Sequence, residues 1–332
     1  MERDGRIDTL KGVLITLVVL GHCLLWGGDT SVVANWIYLF HMPFFVFISG
    51  YLSHTNSHSF WKGIIAIAES YIVFQILKGF MYEYSPTMFI TTPASMMWYL
   101  FVLVVWRILY YIWTIIVRPI SPKIVIYLNF WVLIALFGLG LAVGMIGGIG
   151  KTFALSRMIV FAPFFWLGTM AQGKDFISLC KKTPLWLAFI IIVISFGLII
   201  YLTPQNWLNV REIVRCVKGY EHNHQIIGII SRASFYVLAL LISISIACLI
   251  VKNIILSRIG KDSLKFYLFH GVILWLMSYF HLPWNSGLAF IYFLILMTSI
   301  YFFNMTKLSD FAIRPIHYFI NYISNKKHLN NG

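Results

Sequence analysis

Apolar residues run through this chain in long blocks, separated by short polar punctuation. A helix rises about 1.5 Å per residue, so about 20 apolar residues cross the hydrocarbon core of a bilayer. The blocks that approach this length are Leu10–Trp26, Val33–Leu52, Phe60–Phe80, Ser95–Val117, Ile124–Met145, Phe153–Ala171, Pro184–Leu202, Ile226–Val251, Leu264–Phe280 and Leu288–Met305. The first block has a basic start, as a signal peptide would. No small-residue cleavage site follows it and further blocks do, so it reads as a span. The pattern predicts an all-α fold: a polytopic transmembrane helical bundle of about ten spans, forming one domain over residues 1–332.

Composition agrees. The 332 residues are 60% hydrophobic and 11% charged, against about 45–50% and about 25% in soluble domains. A soluble fold would have too little polar surface to cover its core. The net charge of +14 does not point to nucleic acid, because the basic residues sit at the ends of apolar runs. With the N-terminus inside, the external segments hold only Lys78, Lys151, Arg211, Arg215 and Lys218, while most other Lys and Arg fall on the inner side. That bias places both termini in the cytoplasm. One polar segment is longer than the rest, Thr203–Gln225, and would shape an external mouth or lid. The cysteines Cys23, Cys180, Cys216 and Cys248 are scattered, without the spacing of a zinc site, a haem attachment or a disulfide framework.

Ionisable groups at membrane depth carry the chemistry, since a charge in hydrocarbon is costly and such residues face a bundle interior. They are His22, His41, Glu69, Arg107, Arg157, Arg232 and His270. His22 stands eleven residues past Lys11, about 16 Å up a helix rising from the cytoplasmic side. His41 lies at similar depth in the next block, two residues before Pro43, which removes a helical hydrogen bond. Each histidine alone would read as a buried imidazole bonded to a carbonyl. Two at matched depth on neighbouring helices are expected to meet, and a neutral imidazole there is a suitable general base. Zinc needs three or four ligands and the spacing supplies no third, so no metal is expected. Arg157 and Arg232 lie near the outer ends of their spans, where snorkelling to the interface competes with binding a sugar or an acyl carbonyl. Glu69 is a candidate partner for one of the arginines.

At these residues the chain resembles the acyltransferase-3 family of integral-membrane acyltransferases, and within it the fucose 4-O-acetylase-like group. The first matching block is "RIDTLKGVLITLVVLGH", a basic residue, ten intervening residues and then a histidine, here Lys11 and His22, with Asp8 and Gly12. The others, in order, are "FHMPFFVFISGY" with His41, "MMWYLFVL" with Trp98, "LSRMIVFAPFFWLG" with Arg157, "GIISRASFYVLA" with Arg232, and "IGKDSLKFYLFHG" with Gly260, Ser263, Tyr267 and His270. One block departs. Many members carry an arginine in the third span, in a stretch ending Pro-Tyr. Here it reads "GIIAIAESYIVFQ", with Ser70 in place of the proline and Glu69 as the charge nearby.

The resemblance implies an O-acyltransferase of a bacterial-type inner membrane. It would take an acyl group, usually acetyl, from cytoplasmic acyl-CoA and pass it to a hydroxyl of an extracytoplasmic glycan, possibly lipid-linked. Acetyl-CoA is then a co-substrate, with no permanently bound cofactor, and nucleic acid is no partner. His22 is the expected base or acyl relay and His41 its partner. Glu69, Trp98, Arg157, Arg232, Tyr267 and His270 are the candidate substrate-binding residues. Lys11, Arg258 and Lys261, at the basic inner mouth, are candidates for the phosphates of the donor. The rival reading is a proton-coupled secondary transporter, which also uses mid-membrane His, Arg and Glu. Against it stand the absence of paired Gly/Pro-broken helices and of a carboxylate-rich core.

Overall fold

The computed structural model describes residues 5–26, 32–55, 57–147, 150, 152–202, 210–220 and 224–319. Lys151, and much of the long external segment expected at 203–225, lie outside the described residues. Every regular element among the described residues is helical. The long helices are α1 (Gly5–Trp26), α2 (Val32–Tyr51), α3 (Ser57–Met81), α5 (Trp98–Val117), α6 (Pro122–Ala142), α7 (Leu155–Met170), α9 (Leu185–Leu202), α11 (Gln225–Leu249), α13 (Ser263–Tyr279) and α14 (Ser286–Asn304). Short helices fill the turns: α4 (Pro86–Thr91), α8 (Phe176–Cys180), α10 (Val210–Arg215), α12 (Ile254–Lys261) and α15 (Lys307–Ile313).

Nine helical segments of the described residues are long and apolar enough to cross a membrane. The expected span Leu264–Phe280 forms α13, which at 17 residues is the shortest of the long helices except α7. It follows α12 after the single residue Asp262 and is buried along much of its length, including Lys265, Tyr267 and His270. The outer ring is apolar in the way a lipid-facing surface requires. Ile126, Tyr127 and Trp131 of α6 and Trp186, Phe189 and Ile194 of α9 are all well exposed.

In lipid, burying an apolar face gains little, so helices associate through close packing and small residues. Two glycine crossings set the centre of this bundle. A Cβ on Gly12 of α1 would run into the Leu256 carbonyl of α12, and one on Gly260 of α12 into the Asp8 carbonyl of α1. Likewise Gly50 of α2 meets the Phe165 backbone of α7, while Gly168 of α7 meets that of Phe47. Backbone touches backbone at both crossings, which holds α1 and α2, the helices of the two early histidines, in the middle of the bundle.

Polar turns begin several helices by a shared device. The side chains of Ser85, Asp175, Asn253 and Asn285 each accept the backbone N–H three residues on, opening α4, α8, α12 and α14.

Candidate active site

A cavity of about 510 Å³ opens between α1, α2, α5, α7, α13 and the segment around α10. His22, Tyr38, His41, Met96, Trp98, Arg157 and Tyr267 line its body, and Glu212, Arg215 and Lys218 line its mouth. Part of the segment expected to be external thus contributes Glu212, Val214, Arg215, Val217 and Lys218 to the cavity wall. It is held by the first turn of α7: Ser156 Oγ donates to the Cys216 carbonyl (2.8 Å) and Arg157 Nε to the Arg215 carbonyl (2.9 Å). Cys216 adopts a left-handed backbone, φ 54°, which turns the chain there.

The two early histidines share this cavity with Tyr38 between them. The Tyr38 hydroxyl is 2.9 Å from His22 Nδ1, and its ring centroid is 4.7 Å from that of His41. His41 is buried and its Nδ1 donates to the Ile37 carbonyl at 2.7 Å. A carbonyl only accepts, so this bond fixes the proton on Nδ1 and leaves the Nε2 lone pair of the neutral ring unprotonated. His270 repeats the arrangement on α13: its Nδ1 donates to the Phe266 carbonyl at 2.8 Å. Its ring lies against His22, with centroids 5.3 Å apart. His270 is thus a third imidazole of the cluster.

Trp98 and Arg157 form a second unit. The Arg157 guanidinium carbon lies 4.8 Å from the centre of the Trp98 ring, a cation–π stack on the cavity wall. Arg157 therefore faces the cavity instead of the outer interface. Tyr267 donates its hydroxyl hydrogen to the Met96 carbonyl, closing the wall between α13 and the start of α5. Arg232 sits apart: it is buried on α11, 5.5 Å from the centre of the Tyr220 ring, and is not among the lining residues. Glu69 is also elsewhere. Its Oε1 accepts the backbone N–H groups of Ile316 (2.7 Å) and His317 (3.2 Å), an anion set against the start of a helical turn, so its partner is a backbone and not an arginine.

A second cleft of about 650 Å³ lies where α12, α13 and α15 meet, on the face that the basic bias assigns to the cytoplasm. Lys261, Lys265, Lys307 and Arg314 line it together with Asp262 and Asp310. Lys265 Nζ is engaged by Asp310 (2.8 Å) and Ser309 (2.9 Å), which leaves Lys261, Lys307 and Arg314 as the cationic surface. Burial raises the Asp262 carboxyl above its ordinary value, and Lys265 opposes that. Lys11 pairs with Asp8 at 3.6 Å, and Arg258 is exposed on α12 outside the cleft lining. Helix α13 joins the two spaces: Leu264 and Lys265 line the cleft, Tyr267 lines the cavity, and His270 touches His22.

Several residues escape a reading of the chain alone. Tyr38 is a tyrosine among many aromatics, and only helical spacing from His41 hints at it. Gln75 of α3 pins the turn that carries Ser95 and Met96: it donates to the Phe89 and Thr92 carbonyls and accepts the Ala94 N–H at 2.7 Å. Lys78, counted among the external charges, is fully buried on α3. Arg107 stacks over Phe60, 5.4 Å from its ring centre, away from the cavity lining. Among the described residues, no group of three His, Cys, Asp or Glu side chains is placed to hold a metal ion.

A family model described as "Acyltransferase domain" (Acyl_transf_3) matches residues 4–305. The Nodulation protein NolL of Mesorhizobium japonicum is 48% identical over 59 residues, 16% of this chain and 16% of the relative. The Nodulation protein NolL of Sinorhizobium fredii is 47% identical over 59 residues, again 16% of each. These two matches therefore cover only a small part of either protein. No solved structure matches. The family match, spanning nearly the whole chain, joins the apolar helices and the histidine cavity in one conclusion: this integral-membrane protein belongs to the acyltransferase-3 family.

Proposed function

We propose that the protein moves an acyl group, acetyl in the first instance, from acetyl-CoA or another acyl-CoA at the cytoplasmic face of a bacterial-type inner membrane. The acceptor is a hydroxyl of a glycan on the far side, exported or lipid-linked, as in the fucose 4-O-acetylase-like group. The observation that carries this reading is the single cavity that joins His22, Tyr38, His41, Trp98 and Arg157 to a polar outer mouth. The scheme needs no resident cofactor.

In the tautomer whose Nδ1–H donates to Tyr38, His22 presents its Nε2 lone pair to the acceptor hydroxyl. As the hydroxyl oxygen bonds to the thioester carbon, its proton passes to His22. The C–S bond then breaks, and the coenzyme A thiolate leaves and takes up that proton. His41, locked by Ile37, fixes Tyr38 and so the orientation of His22. Trp98, stacked against Arg157 and Phe161, steadies the Arg157 guanidinium, which offers its donors to the oxygens of a sugar. An acyl-His22 relay differs in having two transfers, and a ping-pong kinetic pattern distinguishes it.

The donor phosphates fit the cleft of Lys261, Lys307 and Arg314, with Lys11 and Arg258 on the same basic face. From Lys265 to His270 is about 7.5 Å of helical rise, which the flexible arm of coenzyme A spans. The test is acetyl-CoA turnover by purified protein in detergent with a panel of glycans. Acceptor-dependent release of coenzyme A supports the reading. No release with any acceptor, together with no acetyl-CoA binding, overturns it and favours gradient-driven transport.

A further inference from the structure

Among the buried charges that the acyl-transfer scheme leaves unused, one lies beside the histidine cluster. Lys78 of α3 is 0% exposed, and its Nζ has no hydrogen-bond partner. A bare ammonium in a low-dielectric interior is strongly disfavoured, and such groups persist where function uses them. Its position is specific. A Cβ on Gly271, the residue after His270, would fall against Lys78 Nζ, with Met96 Sδ at 3.2 Å and Cε at 3.3 Å around the same point. Met96 lines the His22 cavity, and its unbranched thioether is readily displaced. His270 Nε2 is likewise buried without a partner, and the His270 ring adjoins His22. The carboxylate among the cavity-lining residues, Glu212, is paired with Lys218 at 3.3 Å.

We propose that Lys78 supplies the positive charge that stabilises the oxyanion of the acyl-transfer step, from behind Met96 and beside His270. This rests on the acyltransferase reading above. When the acceptor oxygen bonds to the thioester carbon and its proton goes to His22, the carbonyl oxygen becomes anionic. Lys78 is the donor for that oxygen, in a dry site where such a charge acts strongly. The oxygen's electron pair re-forms the C=O bond as the C–S bond breaks, and the charge leaves on the coenzyme A sulfur, which takes the proton from His22. Lys78 lies on the same helix whose usual arginine is missing, so this helix still brings a cation to the bundle interior.

The test compares Lys78→Met with wild type in acetyl-CoA turnover, together with binding of a thioether analogue of acetyl-CoA and thermal unfolding. Loss of a transition-state donor lowers kcat by about 10²–10³-fold. KM and analogue affinity stay within about twofold of wild type, because the ground state carries no oxyanion. A purely structural lysine behaves differently: an apolar isostere leaves stability equal or higher and kcat unchanged. A folded Lys78→Met enzyme with kcat within threefold of wild type overturns the proposal. Should Lys78→Met not fold, Lys78→Ala decides: at least tenfold rescue by n-butylammonium but not by butanol is expected, and its absence in a folded variant overturns the proposal. Wild-type protein that turns over no acyl-CoA removes the acyltransferase reading and this inference with it. Active wild type with an indifferent Lys78 removes only the latter.

Discussion

The rings of His22 and His270 lie with centroids 5.3 Å apart, although one stands on the first helix and the other on α13. Their meeting depends on the crossing of α1 with α12, which leads directly into α13. Glycines at 12 and 260 let those backbones touch.

Gly12→Ala forces a methyl against the Leu256 carbonyl. Overpacking of this kind costs about 1–3 kcal/mol, read as a lower unfolding midpoint with reduced turnover. Gly138 of α6 is the control, because nothing lies within 4 Å of its added Cβ. Gly138→Ala gains up to about 1 kcal/mol from helix propensity. Equal effects of the two substitutions would refute the close crossing.

Gln75 holds the turn before α5 through three side-chain bonds, to Phe89, Thr92 and Ala94. Gln75→Leu strips them and leaves the buried Ala94 N–H unpaired, a loss of about 2–4 kcal/mol. Since Ser95, Met96 and Trp98 line the cavity, kcat/KM falls as well. Turnover and hydrogen exchange across residues 89–97 check both parts. Unchanged exchange there contradicts the pinning role.

Asp175 lies outside the spans, and its carboxyl is held down to about 2. The Ser178 hydroxyl is the main cause, then the Ser178 N–H, then Arg6 at 2.8 Å. An unfolded Asp titrates near about 3.9. The folded value is the lower one, so the stabilisation is complete above about pH 4 and is lost as pH falls toward about 2. The pair is exposed, which limits its worth to under about 1 kcal/mol. Asp175→Asn abolishes that part of the acid dependence of the unfolding midpoint. An identical slope in the variant would show that Asp175 is not its source.

Much of the architecture is visible in the chain, because a bilayer fixes the length of its helices. The blocks of apolar residues give the spans, and helical rise gives the shared depth of His22 and His41. What escapes depends on direction around a helix. Lys78 sits near the end of its apolar block, where a count of loop charges puts it outside, yet its side chain turns inward beside Gly271. Glu69, by charge alone, invites pairing with an arginine. Its partners are the backbone N–H groups of Ile316 and His317, which no spacing in the third block reveals. Arg157 and Arg232 look alike in sequence, near the outer ends of their spans, but the first stacks on Trp98 in the cavity and the second under Tyr220 outside its lining.

The most direct test of the account is acceptor-dependent release of coenzyme A by wild type and by His22→Gln, which keeps polarity and removes the base. Loss of a general base predicts a fall in kcat of about 10²–10⁴-fold, with acetyl-CoA binding and the unfolding midpoint retained. Release at the wild-type rate by a folded His22→Gln protein would contradict the assignment of His22 as the base and the site built around it.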